Sequence, residues 1–249
     1  MLHHSHFPLR YIAIEGVIGV GKTTLATKLA ETLSGSSSSG QLYADLPRST
    51  DSSRSDDDRS TVRVIKEQFE ENPFLSKFYA EPERYAFQTQ IFFLLSRYRQ
   101  QLELGQFNLF ETTIISDYTF YKDEIFARLT LTDSELALYR QVATALKAMI
   151  PKPDLIVYLQ SNVERLMANI AQRDRSYERH ISNEYITKLY DEYNRFFFDH
   201  ADTPVLIIDT TRLDFVKNPE HYAELENKIL RRAPNGVEYF IPPLSIFEN

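Results

Sequence analysis

The chain has 249 residues, of which 43% are apolar, enough to bury the core of one generous α/β domain and too many for a disordered chain. Its formal net charge is −7 and it has no long Lys/Arg run, which argues against a nucleic-acid polymer as partner. The lack of cysteine rules out disulfides, thiolate metal sites and cysteine nucleophiles, and fits an intracellular protein.

The N-terminal stretch Met1-Leu2-His3-His4-Ser5-His6-Phe7-Pro8 lacks the apolar core of a targeting segment and has no run able to span a bilayer. A cytoplasmic protein without a membrane partner is expected. His3, His4 and His6 read as a solvated tail, because no second cluster of ligands supports a metal site.

Tyr11–Glu15 is an apolar, strand-like run. It leads into Gly16-Val17-Ile18-Gly19-Val20-Gly21-Lys22-Thr23, a complete Walker A loop, and then into a stretch with apolar residues at helical spacing. Gly16, Gly19 and Gly21 allow successive backbone N–H groups to turn around a phosphate, and the helix N-terminus adds a partial positive charge. Lys22 would reach the β- and γ-phosphates, and the Thr23 hydroxyl would bind Mg²⁺.

The helix is expected over Lys22–Ser34. From Ser34 to Ser60 the chain is dominated by Ser, Gly, Asp and Arg, including Ser36-Ser37-Ser38-Ser39 and Asp56-Asp57-Asp58. This composition buries little and predicts a disordered surface insertion at 34–60 within one domain. A regulatory loop is the sharper reading, and a tolerated insertion the simpler one.

Further strands are expected near Val62–Glu67, Thr113–Asp117, Leu155–Gln160 and Val205–Asp209. Helices are expected near Pro82–Leu104, Thr132–Met149, Val163–Arg173, Asn183–His200 and Pro219–Arg232. The alternation predicts an α/β fold with a five-stranded parallel sheet and helices on both faces. The domain is expected over 10–232, followed by a C-terminal tail over 233–249.

Glu67 closes the second strand, at the sheet edge where ligands of parallel α/β folds bind. A carboxylate there can accept the proton of an attacking hydroxyl, although position alone favours an ordinary strand-end charge. Asp117 ends the third strand at the same edge and suits Mg²⁺ directly or through water; a solvated turn residue is the other reading. Arg173 and Arg175, one residue apart on a polar connector, can close over triphosphate oxygens, or can simply be a charged helix end. Tyr79, Tyr85, Phe87, Gln90 and Arg97 lie on or before one long helix. A planar ligand can stack there and pair with Gln90, but an aromatic stripe at this spacing is more often core.

Together these features resemble the deoxynucleoside kinase family, particularly bacterial deoxyadenosine/deoxyguanosine kinases and their deoxycytidine kinase relatives. The resemblance runs from about Arg10 to Phe215, excepting the insertion. Its most specific pieces are Ile14-Glu15-Gly16 through Thr23-Thr24, Glu70-Glu71-Asn72-Pro73-Phe74-Leu75, Phe78-Tyr79-Ala80-Glu81-Pro82-Glu83-Arg84-Tyr85, Gln90 with Leu95-Ser96-Arg97, Ile125-Phe126-Ala127, and Arg173-x-Arg175-x-x-Glu178.

The resemblance implies a three-layer P-loop kinase fold with a short arginine-bearing lid, ATP as donor with Mg²⁺, and a homodimer. It implies an ATP site of Gly16, Gly19, Gly21, Lys22, Thr23, Thr24, Arg173, Arg175, Asp214 and Phe215. Glu67 matches the base for the 5′-hydroxyl, and Tyr79 and Glu178 match the holders of the 3′-hydroxyl. Gln90 matches the side chain that pairs with the base. Arg97 and Asp123 match the charged pair of members that accept purines and cytosine, which favours deoxyadenosine, deoxyguanosine or deoxycytidine over thymidine. Thr23 and Asp117 are the expected metal ligands.

The chain departs from the family pattern after the third strand. Where the family often has an acidic residue followed by arginine, the sequence reads Ser116-Asp117-Tyr118, so the arginine is missing; Arg97 is expected to supply part of its charge. Two alternatives remain. A monophosphate kinase of the thymidylate type would need extra positive charge for the acceptor phosphate, which Glu67 opposes. A P-loop regulatory module of the GTPase kind would need an Asn-Lys-x-Asp base reader and an Asp-x-x-Gly switch, and the sequence has neither.

Overall fold

The computed structural model describes residues 9–35, 61–104, 111–199, 202–231 and 236–243. The strands are β1 (Tyr11–Gly16), β2 (Thr61–Ile65), β3 (Glu111–Ser116), β4 (Leu155–Gln160), β5 (Val205–Asp209) and β6 (Val237–Phe240). The helices are α1 (Lys22–Leu33), α2 (Leu75–Ala80), α3 (Pro82–Leu104), α4 (Lys122–Thr130), α5 (Asp133–Lys147), α6 (Val163–Arg173), α7 (Asn183–Phe198) and α8 (Pro219–Arg231).

The strands form one sheet in the order β2-β3-β1-β4-β5-β6, with every neighbouring pair parallel. β1 and β4 are buried along their whole length, as central strands covered on both faces must be. Alternation sends Ile12 and Ile14 of β1 into the main core, with Leu25 and Leu29 of α1 and Val157 and Leu159 of β4. Tyr11 and Ala13 point the other way, into a smaller cluster with Ile65, Ile114 and Tyr118. Each fully buried aliphatic side chain contributes about 1.5–3 kcal/mol, which fixes the sheet that carries the site.

The expected α/β architecture is present, with six strands among the described residues rather than five. The sixth lies where a tail was expected over 233–249. It is a short edge strand with half-exposed side chains and so carries little sequence signal. It is anchored by Tyr239 Oη donating to Gln160 Oε1 at 2.6 Å and by an ion pair between Lys228 and Glu238. The helices α2 and α4, of six and nine residues, are too short to show a periodic pattern in the sequence. The insertion expected at 34–60 lies outside the described residues from 36 onward, as do His200, Arg232 and, in the tail, 233–235 and 244–249.

Candidate active site

The Walker A loop runs from the end of β1 into α1. Gly21 adopts φ +101°, and a Cβ built on it would stand 2.9 Å from Phe215 Cζ, so both backbone conformation and space demand glycine. Phe215 is thereby placed against the loop, and Lys28 Nζ donates to its carbonyl at 2.9 Å. Asp214 accepts Lys217 N–H at 3.1 Å in the same turn. Lys22 Nζ donates to Gly16 O at 2.8 Å and Val17 O at 3.3 Å, folded back on its own loop. Burial, then repulsion from Lys122, lowers its pKa to about 8.

β2 and β3 deliver two carboxylates just past their ends. Asp117 Oδ1 accepts the Glu67 N–H at 2.8 Å, and Asp117 Oδ2 accepts the Thr23 hydroxyl. Thr23 and Asp117 thus bring two hard oxygens together, a donor set that suits Mg²⁺, which completes its coordination with water and phosphate oxygens. No larger cluster of His, Cys, Asp or Glu able to hold a metal occurs among the described residues.

The Glu67 carboxylate is gripped by two cations. Arg97 pairs with Oε1, and Lys122 Nζ donates to Oε2 at 2.5 Å. Burial would raise this carboxyl, but Lys122 and Arg97 outweigh it and hold its pKa far below the usual carboxylate range. Arg97 also pairs with Asp123, so Asp123, Arg97, Glu67 and Lys122 form a chain of alternating charge in which only Glu67 is partly exposed.

The opposite wall comes from the connector after α6. Asp174, in the left-handed conformation at φ 43°, ends that helix and turns Arg173 and Arg175 back towards the sheet edge. Arg173 grips buried Glu178 bidentately, and Arg175 Nη1 lies 3.7 Å from the same carboxylate. Tyr79 stacks on Tyr177 with ring centres 6.5 Å apart and meets the edge of Tyr185. Gln90 is buried and donates to Thr130 Oγ1 at 3.3 Å.

One cavity of about 110 Å³ collects Lys22, Thr23, Glu67, Tyr79, Gln90, Arg97, Asp117, Arg173, Arg175 and Glu178. Asp123 pairs with Arg97, and Phe215 packs against Gly21 of the loop with Asp214 next to it in sequence; these three do not line the cavity. The stripe read as possible core is split: Tyr79 and Gln90 face the cavity, while Tyr85 and Phe87 do not line it.

Three polar lining residues escaped sequence reasoning, as did Phe93. Thr89, 1% exposed, carries a buried hydroxyl without a hydrogen-bond partner. Tyr177 stacks on Tyr79. Lys122 opens α4, where the helix dipole disfavours a cation, a signal usable only once that helix is known. Glu15 also escaped: fully buried beneath the loop, it accepts Thr119 N–H at 2.6 Å and Gly16 N–H at 3.2 Å, tying the loop to the β3–α4 turn.

Comparison with known proteins identifies the family and the fold. The family model described as deoxynucleoside kinase matches residues 12–233. The deoxyguanosine kinase of Bacillus subtilis (strain 168) is 31% identical over 220 residues, covering 86% of this chain and 93% of that protein. The deoxyadenosine kinase of Dictyostelium discoideum is 31% identical over 222 residues, covering 86% of this chain and 77% of its own length. Among solved structures, a deoxyadenosine kinase from M. mycoides with products dCMP and a flexible dCDP bound shares the fold at a TM-score of 0.69 and 24% identity, over 89% of this chain and 100% of that one.

Proposed function

The chain belongs to the deoxynucleoside kinase family, and from that membership we propose that it transfers the γ-phosphoryl group of ATP to the 5′-hydroxyl of a deoxynucleoside, yielding the 5′-monophosphate and ADP for nucleotide salvage. One observation carries the reading. The ion-paired Glu67 carboxylate faces the same cavity as Lys22 and Thr23.

A neutral primary hydroxyl is a poor nucleophile, and an ionised carboxylate can hold it in line and take its proton. Lys22, Arg173 and Arg175 stabilise the charge on the transferring phosphoryl, and the loop glycines with Thr23 and Thr24 cradle the donor. Asp214 and Phe215 flank the donor base. Thr23 and Asp117 would hold Mg²⁺, which supplies charge neutralisation across the donor phosphates. Tyr79 and Glu178 hold the 3′-hydroxyl, and Gln90 pairs with the base.

The charge balance supports an uncharged acceptor. Arg97 and Lys122 are both engaged by carboxylates, Glu67 and Asp123, leaving no free cation among the described residues on that side of the cavity for an acceptor phosphate. This argues against a thymidylate-type monophosphate kinase. Arg97 beside Asp123 supports deoxyadenosine, deoxyguanosine or deoxycytidine as acceptor rather than thymidine, and the names of the two curated relatives support the two purine nucleosides.

A catalytic unit over 10–232, with 34–60 as a tolerated insertion, acts as a cytoplasmic homodimer in this proposal. No helix among the described residues is long and apolar enough to cross a membrane. Incubation with each of the four deoxynucleosides, ATP and Mg²⁺ tests the reading. Formation of deoxyadenosine, deoxyguanosine or deoxycytidine monophosphate is expected. Phosphorylation of deoxynucleoside monophosphates, with none of the nucleosides accepted, contradicts it.

A further inference from the structure

Glu67 lies two residues beyond β2, outside any helix or strand. Its backbone is tied to Asp117, but the direction of its carboxylate is set by the two cations that grip it. Arg97 is divided between Glu67 and Asp123, whereas the Lys122 ammonium makes its direct ion pair among the described residues with Glu67 Oε2, and buried Glu15 feels its charge from farther away. The Lys122 side chain is 8% exposed and lines the cavity. Burying an ammonium at the first residue of a helix is unfavourable twice over, through desolvation and through the dipole, and the ion pair with Glu67 offsets both. Tyr118, where the sequence lacks an arginine, is turned into the apolar cluster with Tyr11, Ala13, Ile65 and Ile114 and brings no charge to the cavity.

We propose that Lys122 is a positioning residue for the phosphoryl transfer described above: it aims the Glu67 carboxylate at the acceptor hydroxyl and supplies, from the start of α4, the positive charge that the residue after Asp117 does not carry. This rests on the proposed reaction. Without Lys122, Oε2 is released and Arg97 draws the carboxylate towards Asp123, away from the line of attack. A misplacement of about 1 Å is enough to cost on the order of 100-fold in rate. The lysine touches neither substrate in this account; it acts through Glu67.

Lys122→Met, Lys122→Arg, Glu67→Gln and the double variant Glu67→Gln/Lys122→Met test it, with kcat and KM measured for the best deoxynucleoside and for ATP. Lys122→Met should lower kcat by about 10- to 100-fold with little change in either KM. Lys122→Arg, which keeps charge and reach, should recover most of the loss. In the Glu67→Gln background the lysine change should cost nothing further, because its effect passes through the missing carboxylate. Wild-type kcat in Lys122→Met, no recovery in Lys122→Arg, or fully additive losses would each overturn the inference while leaving the reaction standing. A wild type that phosphorylates no deoxynucleoside would instead bring down the reaction itself.

Discussion

Arg173 and Glu178 are joined by two parallel bonds, Nε to Oε2 at 2.7 Å and Nη2 to Oε1 at 2.6 Å. The pair links an arginine proposed to act on the transferring phosphoryl with a carboxylate proposed to hold the nucleoside. Glu178 is buried, and its next cation, Arg175, stands 3.7 Å away. Removing Arg173 therefore disturbs both substrates. Arg173→Ala is expected to lower kcat and also to raise the nucleoside KM. Arg173→Lys, which cannot make the planar two-bond fork, should keep the nucleoside defect in part. Steady-state kinetics with each substrate varied in turn checks this; an unchanged nucleoside KM in Arg173→Ala would show that the pair is incidental.

The Glu67 cluster makes stability depend on pH. Burial opposes ionisation of Glu67, but Lys122 and Arg97 prevail and depress its folded pKa below the unfolded value. Between those two pKa values the unfolded chain binds the proton and the folded chain does not. The stabilisation is therefore present above the unfolded carboxylate pKa and is lost as pH falls towards the folded one. Glu67→Gln removes it at every pH and leaves Lys122 buried without its carboxylate, at a cost of about 3 kcal/mol near neutrality. Denaturant unfolding of both proteins from pH 7 downwards should show the gap narrowing below about pH 4.3, an ordinary glutamate pKa. A gap that is constant or widens with acid contradicts the arrangement.

Gly21 and Phe215 make a steric prediction. A methyl group at Gly21 would meet the Phe215 ring at 2.9 Å on a backbone with φ +101°. Gly21→Ala should destabilise by about 1–3 kcal/mol through backbone strain and raise the KM for ATP, because the loop and the ring proposed to flank the donor base are displaced together. Thermal unfolding and donor kinetics check it; a wild-type Tm with unaltered donor KM would contradict the contact.

The serine-rich segment gives the opposite expectation. Its composition supplies almost no apolar surface to bury, so replacing residues 36–60 by a short Gly/Ser linker should leave kcat and KM near wild type. Lost activity in a folded variant would show that the segment contributes to the site.

How much of this was legible in the sequence depended on the range of the interactions. The phosphate loop is contiguous, so Gly16 to Thr23 could be read directly, and Glu67 and Asp117 could be placed because strand ends of a parallel sheet share one edge. The grip of Arg97 and Lys122 on Glu67 could not be read: it joins residues 30 and 55 positions away through packing of α3 and α4. α4 itself spans only nine residues with a mixed face, so its opening lysine had no frame. β6 was missed for a different reason, since four edge-strand residues exposed on alternate positions, beside a Pro-rich stretch, give too short a pattern to stand out. Tyr118 stood out as a departure, but only the fold showed that its ring belongs to the core and that the charge enters four residues later.

The central claim is that the Glu67 carboxylate activates and orients a nucleoside hydroxyl opposite the phosphate loop. The most direct measurement is the rate of dAMP formation from deoxyadenosine, ATP and Mg²⁺ by the wild type and by folded Glu67→Gln, with binding of both substrates measured alongside. The account predicts retained binding and a turnover about 100- to 10,000-fold slower in the variant. Glu67→Gln forming dAMP as fast as the wild type would contradict it.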